Sequence, residues 1–174
     1  MEDSSDCAIR KLNPGDAEAW ARLRLEALET SPLAFSSSIP NAFHSLVETA
    51  IDRLEVRDNS ACFGAFVNNV LQGTIGIYRE SGEKTRHKCS IVAMFVRAES
   101  RRKGIGAMLM KTAILHARSW EGVEQIQLVV NDVAPEAKRL YERNGFRIWG
   151  IEPRSLCHAG KYTDATHMIL ELRR

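Results

Sequence analysis

The sequence contains no run of about eighteen apolar residues, so it offers no candidate membrane-spanning helix and predicts no membrane partner. Residues 1–12, MEDSSDCAIRKL, lack the basic region and apolar core of a secretory leader. A cytoplasmic location is the expectation. Cysteines are few and scattered, at 7, 62, 89 and 157, with no C-x-x-C pair and no histidine at finger-like spacing. This excludes a disulfide framework and predicts reduced thiols and no bound metal. Charge of one sign is also lacking: 24 Lys and Arg against 22 Asp and Glu leave a formal net charge of +2. So small a surplus does not point to a nucleic-acid partner. Repeats, linkers and low-complexity blocks are absent, as is the G-x-S-x-G elbow of a serine nucleophile.

What remains is an ordinary globular composition, 44% hydrophobic and 26% charged over 174 residues, enough for one well-packed domain spanning 1–174. Cys7 to Leu12 reads as a strand, and Asn13-Pro14-Gly15-Asp16 as a turn whose Asp16 caps a helix over Ala17 to Thr30. Ser31-Pro32 ends that helix, and Leu33 to His44 is irregular. Ser45 to Val56 reads as a second amphipathic helix. The periodicity then changes to strands: ACFGAFV and VLQGTIGIYR flank Asn68-Asn69 as a hairpin, with Gly73 and Gly76 marking a bulge or a close backbone approach. Residues 80–88 form a polar loop before the strand Cys89 to Val96.

The segment from Ile91 to Met110, IVAMFVRAESRRKGIGAMLM, carries the first chemical signal. An apolar strand runs into Arg101, Arg102 and Lys103, then Gly104-Ile105-Gly106 opens a helix over Gly104 to Ser119. Unpaired amides of a first helical turn, with the positive end of the helix dipole behind them, suit a diphosphate. Two well-known phosphate loops do not fit. A dinucleotide site needs a third glycine where Leu109 stands, and a nucleoside-triphosphate loop needs Gly-Lys-Ser/Thr. The second signal follows the strand Gln125 to Val130: Asn131, then Pro135 at a helical first turn, then AKRLYERNGF from Ala137 to Phe146. The tail, RIWGIEPR and ATHMILELRR, reads as an antiparallel pair around a loop, LCHAGKYTD.

Arg101-x-x-Gly104-x-Gly106 resembles the coenzyme A pyrophosphate loop of the GNAT (GCN5-related) N-acetyltransferase superfamily, and Asn131, Ala137, Leu140, Tyr141, Gly145 and Phe146 match its second motif in order and register. Tyr162, Asp164 and Met168 match the looser pattern of its closing strands, and LEALETSPLAFSSS is similar to an acceptor-site wall common in bacterial small-molecule members. The resemblance implies an α/β (α+β) fold: a mixed, mostly antiparallel sheet of about seven strands, flanked by about four helices, with splayed central parallel strands. It implies acetyl-CoA as co-substrate, held along Phe95 and Val96, by Arg101, Arg102 and Lys103, by the loop Gly104, Ile105 and Gly106, and by Asn131 and Tyr141. Phe95 is its first candidate for an oxyanion-stabilising amide. Tyr141 is the expected proton donor to the departing thiolate. Transfer would run directly to a primary amine, on a small molecule or a peptide, in a ternary complex, and a homodimer is consistent with the family's habits. The alternative is a coenzyme-binding regulatory module without turnover. The general base stays open among Glu26, Glu80 and Asp164, and His87, His158 and His167 are not separated by any pattern.

Overall fold

The computed structural model describes residues 7–39 and 42–172. Seven strands form one sheet in the order β1-β2-β3-β4-β5-β7-β6. They are β1 (Cys7–Lys11), β2 (Ser60–Val67), β3 (Val70–Arg79), β4 (Lys88–Val96), β5 (Gln125–Asn131), β6 (Arg147–His158) and β7 (Lys161–Glu171). Four helices accompany them: α1 (Ala17–Thr30), α2 (Phe43–Leu54), α3 (Ile105–Ser119) and α4 (Pro135–Arg143). The element order read from the sequence holds, and its boundaries shift. Helix α2 begins two residues earlier than expected. The expected final loop is mostly strand, because β6 and β7 continue their pairing to a turn at Ala159 and Gly160, both at positive φ (48° and 75°).

Two apolar layers sandwich the sheet. Ile105, Leu109, Met110 and Ala113 of α3 pack with Ile75, Ile126, Leu128, Met168 and Tyr141 on one face. On the other, Trp20, Leu23 and Ala27 of α1 and Leu46, Ala50 and Leu54 of α2 pack with Leu12, Leu71 and Phe95. Both sets follow helical spacing, so each helix buries one stripe. Leu23 and Leu109 are fully enclosed, and truncating either to Ala costs about 2–5 kcal/mol.

Three local irregularities place the site. Asn68 and Asn69 adopt φ of 50° and 62°, the geometry a two-residue hairpin turn requires, which asparagine tolerates. In β4, Gly76 pairs with Val92 and Thr74 with Phe95, so β4 carries one extra residue, Ala93 being at φ 51°. This bulge kinks the strand away from its next neighbour. A Cβ on Gly73 would stand 3.0 Å from the Phe95 carbonyl and one on Gly76 3.2 Å from Val92 Cγ2, which explains both glycines by close approach.

Candidate active site

Strands β4 and β5 are the parallel pair, and their pairing is short. It joins Lys88, Cys89 and Ser90 to Gln125, Ile126 and Gln127 and then stops, while β4 stays paired to β3 as far as Val96 and β5 to β7 as far as Asn131. The two strands therefore diverge toward their C-terminal ends. A strand edge with unspent amides and carbonyls lines the opening, the kind of edge that accepts an extended ligand.

Alternation along β4 decides which amides face that opening. Arg97 N donates to Gln72 O at 2.9 Å, and the Phe95 carbonyl lies against Gly73, so both residues point their backbone groups toward β3. The alternate positions, Met94 and Val96, turn theirs the other way. The Phe95 amide expected from the sequence is thus directed toward β3, and the Met94 amide is the one that alternation turns toward the opening. The bulge at Ala93 sets this phase, and nothing in the sequence announces it. Phe95 instead contributes its ring, 6.5 Å edge-on to Phe35.

Beyond Val96 the chain makes one 3-10 turn, Ala98–Ser100, anchored where Ser100 Oγ donates to Gln72 Oε1 at 2.8 Å. Arg101 Nε donates to Val96 O at 2.9 Å, and its guanidinium carbon lies 5.7 Å from the centre of the Phe95 ring. Arg102 is left-handed (φ 60°) and its Nη2 lies 3.6 Å from Glu136 Oε1 at the start of α4; Lys103 is exposed. Gly104, at φ 79°, precedes the helix instead of belonging to it, which begins at Ile105. No side chain caps this end, and the first intrahelical bond runs from Met108 N to Gly104 O at 3.0 Å. The amides of Ile105, Gly106 and Ala107 consequently lack intrahelical acceptors. The two glycines serve different ends: Gly104 supplies the backbone angle, and Gly106 lets α3 approach α4.

Helix α4 carries Tyr141, 7% exposed and 6.2 Å edge-on to Phe146. Burial alone pushes its phenol up to about 12, so the proton stays on oxygen throughout the neutral range. Asn131, at the end of β5, donates from Nδ2 to Ala34 O at 3.3 Å and lies 3.5 Å from Thr163 Oγ1. It ties the 3-10 turn Pro32–Ala34, and with it Phe35, across the C-terminal end of β5. The sequence does not single out Thr163, beside Asn131, or Arg24, because nothing in their local spacing sets them apart.

The fold sorts the carboxylates. Glu80 N bonds Lys88 O at the opposite end of β4 from Val96, eight residues and roughly 26 Å away, and His87 precedes the same end. Asp164 Oδ1 accepts from Arg154 N at 2.8 Å, holding the left-handed Arg154 (φ 53°) in the β6–β7 irregularity. His158 lies at the hairpin turn, and His167 Nε2 lies 3.1 Å from Glu152 Oε2 on the outer strands. Glu26 remains, its Oε2 3.0 Å from Arg97 Nε directly after β4. The contact is an ion pair that misses hydrogen-bond geometry, since Arg97 Nε has no hydrogen-bond partner. His116, packed edge-on to Phe63 and Trp120 at 5.3 and 4.9 Å, has its pKa lowered by burial and then by Lys11. It is a packing residue. Among the described residues no cluster of His, Cys, Asp or Glu could hold a metal, and no helix is long and apolar enough to cross a membrane.

A parallel pair that splays beside an open helix N-terminus is the arrangement that the resemblance led us to expect for an acyl-coenzyme A enzyme. The model of the acetyltransferase (GNAT) family matches residues 20–146. The chain belongs to that family and is an acyl-CoA-dependent acetyltransferase with acetyl-CoA as co-substrate. The fold is similar to the acetyltransferase of GNAT family from Streptococcus pneumoniae, at 24% identity and TM-score 0.82, covering 96% of this chain and 100% of that one. It is similar to the N-acetyltransferase from Staphylococcus aureus Mu50, at 16% identity and TM-score 0.85, covering 97% and 100%. It is also similar to yncA from Salmonella typhimurium, solved with its cofactor acetyl-CoA, at 20% identity and TM-score 0.82, covering 98% and 96%. No curated protein matches the chain.

Proposed function

We propose that the protein transfers acetyl from acetyl-CoA directly to a primary amine within a ternary complex. The observation that carries this reading is the opening between β4 and β5, taken with the unpaired amides of Ile105 and Gly106 at the start of α3 and the buried Tyr141 on α4. The diphosphate lies on the first turn of α3 beside Arg102 and Lys103, and Arg101 braces the end of β4 through Val96. The pantetheine runs along the free edge of β4 as an added strand. The Met94 amide donates to the carbonyl oxygen as it gains charge.

The amine nitrogen attacks the thioester carbon, the carbon–sulfur bond breaks, and one proton passes overall from nitrogen to sulfur. Tyr141 donates a hydrogen bond to the departing sulfur. A thiol titrates near 8.5, so a phenol at about 12 keeps its own proton and steadies the departing thiolate by that hydrogen bond, and the thiolate takes its proton from solvent. Glu26, the carboxylate adjoining the end of β4, accepts the amine's proton through water and returns it to solvent.

An acceptor screen with acetyl-CoA and thiol detection tests the reading. Amine-dependent thiol release that falls sharply in Tyr141→Phe supports it. Tight acetyl-CoA binding with no release for any amine supports a coenzyme-binding module instead.

A further inference from the structure

Among the described residues Arg24 forms no ion pair. It projects from α1, Nη2 donates to Ser37 Oγ at 3.2 Å, and its guanidinium carbon stacks 4.5 Å from the centre of the Phe35 ring. Nη1 is buried and has no hydrogen-bond partner. Of the three acids on α1, Glu18 is engaged by Arg22 and Glu26 by Arg97, and Glu29 is exposed and makes no ion pair with Arg24. Burial lowers the Arg24 pKa to about 10, and the charge that adds to this lowering is another cation, Arg53 of α2. An uncompensated guanidinium in such surroundings costs free energy that a carboxylate at the same place would recover.

Its position is as informative as its charge. The Phe35 ring that covers Arg24 also meets Phe95, between the two β4 residues whose amides face the opening. Ala34, one residue earlier, is tied to Asn131 at the end of β5. Arg24 therefore stands behind the segment Ala34–Phe35, which lies across the C-terminal ends of β4 and β5. Residues 36–39, which follow it, are all exposed, and among them Ser37 is the one that accepts from Arg24 Nη2. Arg97, the other cation nearby, is already balanced by Glu26.

We propose that the acceptor amine also carries an anionic group, a carboxylate or a close equivalent, and that Arg24 receives it as the residue determining acceptor class. The planar fork of arginine matches a carboxylate in two parallel hydrogen bonds, using the Nη1 that now has none. The inference rests on the acetyltransferase reading above. It excludes polyamines and simple alkylamines as preferred acceptors.

The test uses this chain with acceptors that differ chiefly in the anion, rates being compared per neutral amine: L-leucine, L-leucinamide and isopentylamine; γ-aminobutyrate, its amide and n-butylamine; and spermidine as a cationic reference. The acid of at least one set should show kcat/KM about tenfold or more above its amide and amine. Arg24→Gln, which keeps most of the stem packing, should remove that advantage through KM for the acid and leave the KM for acetyl-CoA and the rate on the neutral amines within about threefold. Arg24→Lys should restore part of it. Preference for the neutral or cationic acceptors, no use of either acid by protein that binds acetyl-CoA, or an equal loss on all acceptors in Arg24→Gln would overturn the proposal. Calorimetric titration of the two acids without coenzyme separates this failure from that of the acetyltransferase reading. Binding that Arg24→Gln abolishes supports the anion site even where no acetyl transfer is seen, and equal binding by both proteins, or none, counts against it.

Discussion

Gly106 packs against Leu140: a Cβ at position 106 would stand 3.2 Å from Leu140 Cδ2 and 3.4 Å from Met94 Cε. The first turn of α3, where the diphosphate is proposed to sit, thus touches the residue immediately before Tyr141. The two halves of the site are mechanically joined.

Gly106→Ala should therefore separate stability from activity. Both obstructing atoms are ends of flexible side chains, and Ala is favoured over Gly in a helix by about 1 kcal/mol, so the melting temperature should change little. Displacement of α4 by a few tenths of an ångström should lower kcat by about tenfold, because transfer is sensitive to placement. Gly104→Ala should do the reverse to stability, losing about 1 kcal/mol from a φ of 79° although a Cβ there meets nothing within 4 Å. Thermal melts and steady-state kinetics of both variants check this, and equal destabilisation by the two would contradict it.

Tyr141→Phe should lower kcat by about a hundredfold or more with the KM for acetyl-CoA little changed. In the intact protein the Tyr141 phenol should ionise about two units later than an ordinary tyrosine, near 12 against 10. Its folded pKa is raised, so its stabilising contribution is complete below pH 10 and is lost as the pH rises through 12. Tyrosinate absorbance should show a late component that the variant lacks, provided the fold survives to that pH.

Glu26→Gln should reduce the rate most at neutral pH and less as the solution approaches the pKa of the amine. At that point solvent supplies neutral acceptor and a base is no longer needed. A deficit that stays constant with pH would assign Glu26 a structural role with Arg97, 3.0 Å away.

Asp164→Ala should cost about 1–2 kcal/mol, since Arg154 N loses the carboxylate it bonds at 2.8 Å, and should leave the shape of the pH–rate profile unchanged. A profile that loses its acidic limb would restore Asp164 as the base.

The Asp16 carboxylate is held below its usual range, first by the hydrogen bond with Arg10 and, against the opposing effect of burial, by the Asn13 amide. With the folded pKa lowered, this support is complete above the unfolded value and is lost as pH falls through the folded one. Asp16→Asn should cost stability at neutral pH and nothing at strongly acid pH, as denaturant titrations would show.

Local chemistry wrote much of this protein directly into its residues. Apolar period fixed the eleven main elements in order, Asn68-Asn69 fixed a hairpin, and the Gly104-Ile105-Gly106 and LYERNGF segments marked the proposed coenzyme end, because each depends on residues within a turn or two of one another. Long-range pairing decided the rest. The extra residue at Ala93 determines which β4 amides meet the opening, and a bulge depends on how two strands align. The sorting of Glu26, Glu80 and Asp164 depends on which end of the sheet each reaches. Arg24 reads as one more charge on an amphipathic helix until the packing of Phe35 leaves its Nη1 enclosed without a partner, a consequence of burial that a one-dimensional pattern does not contain.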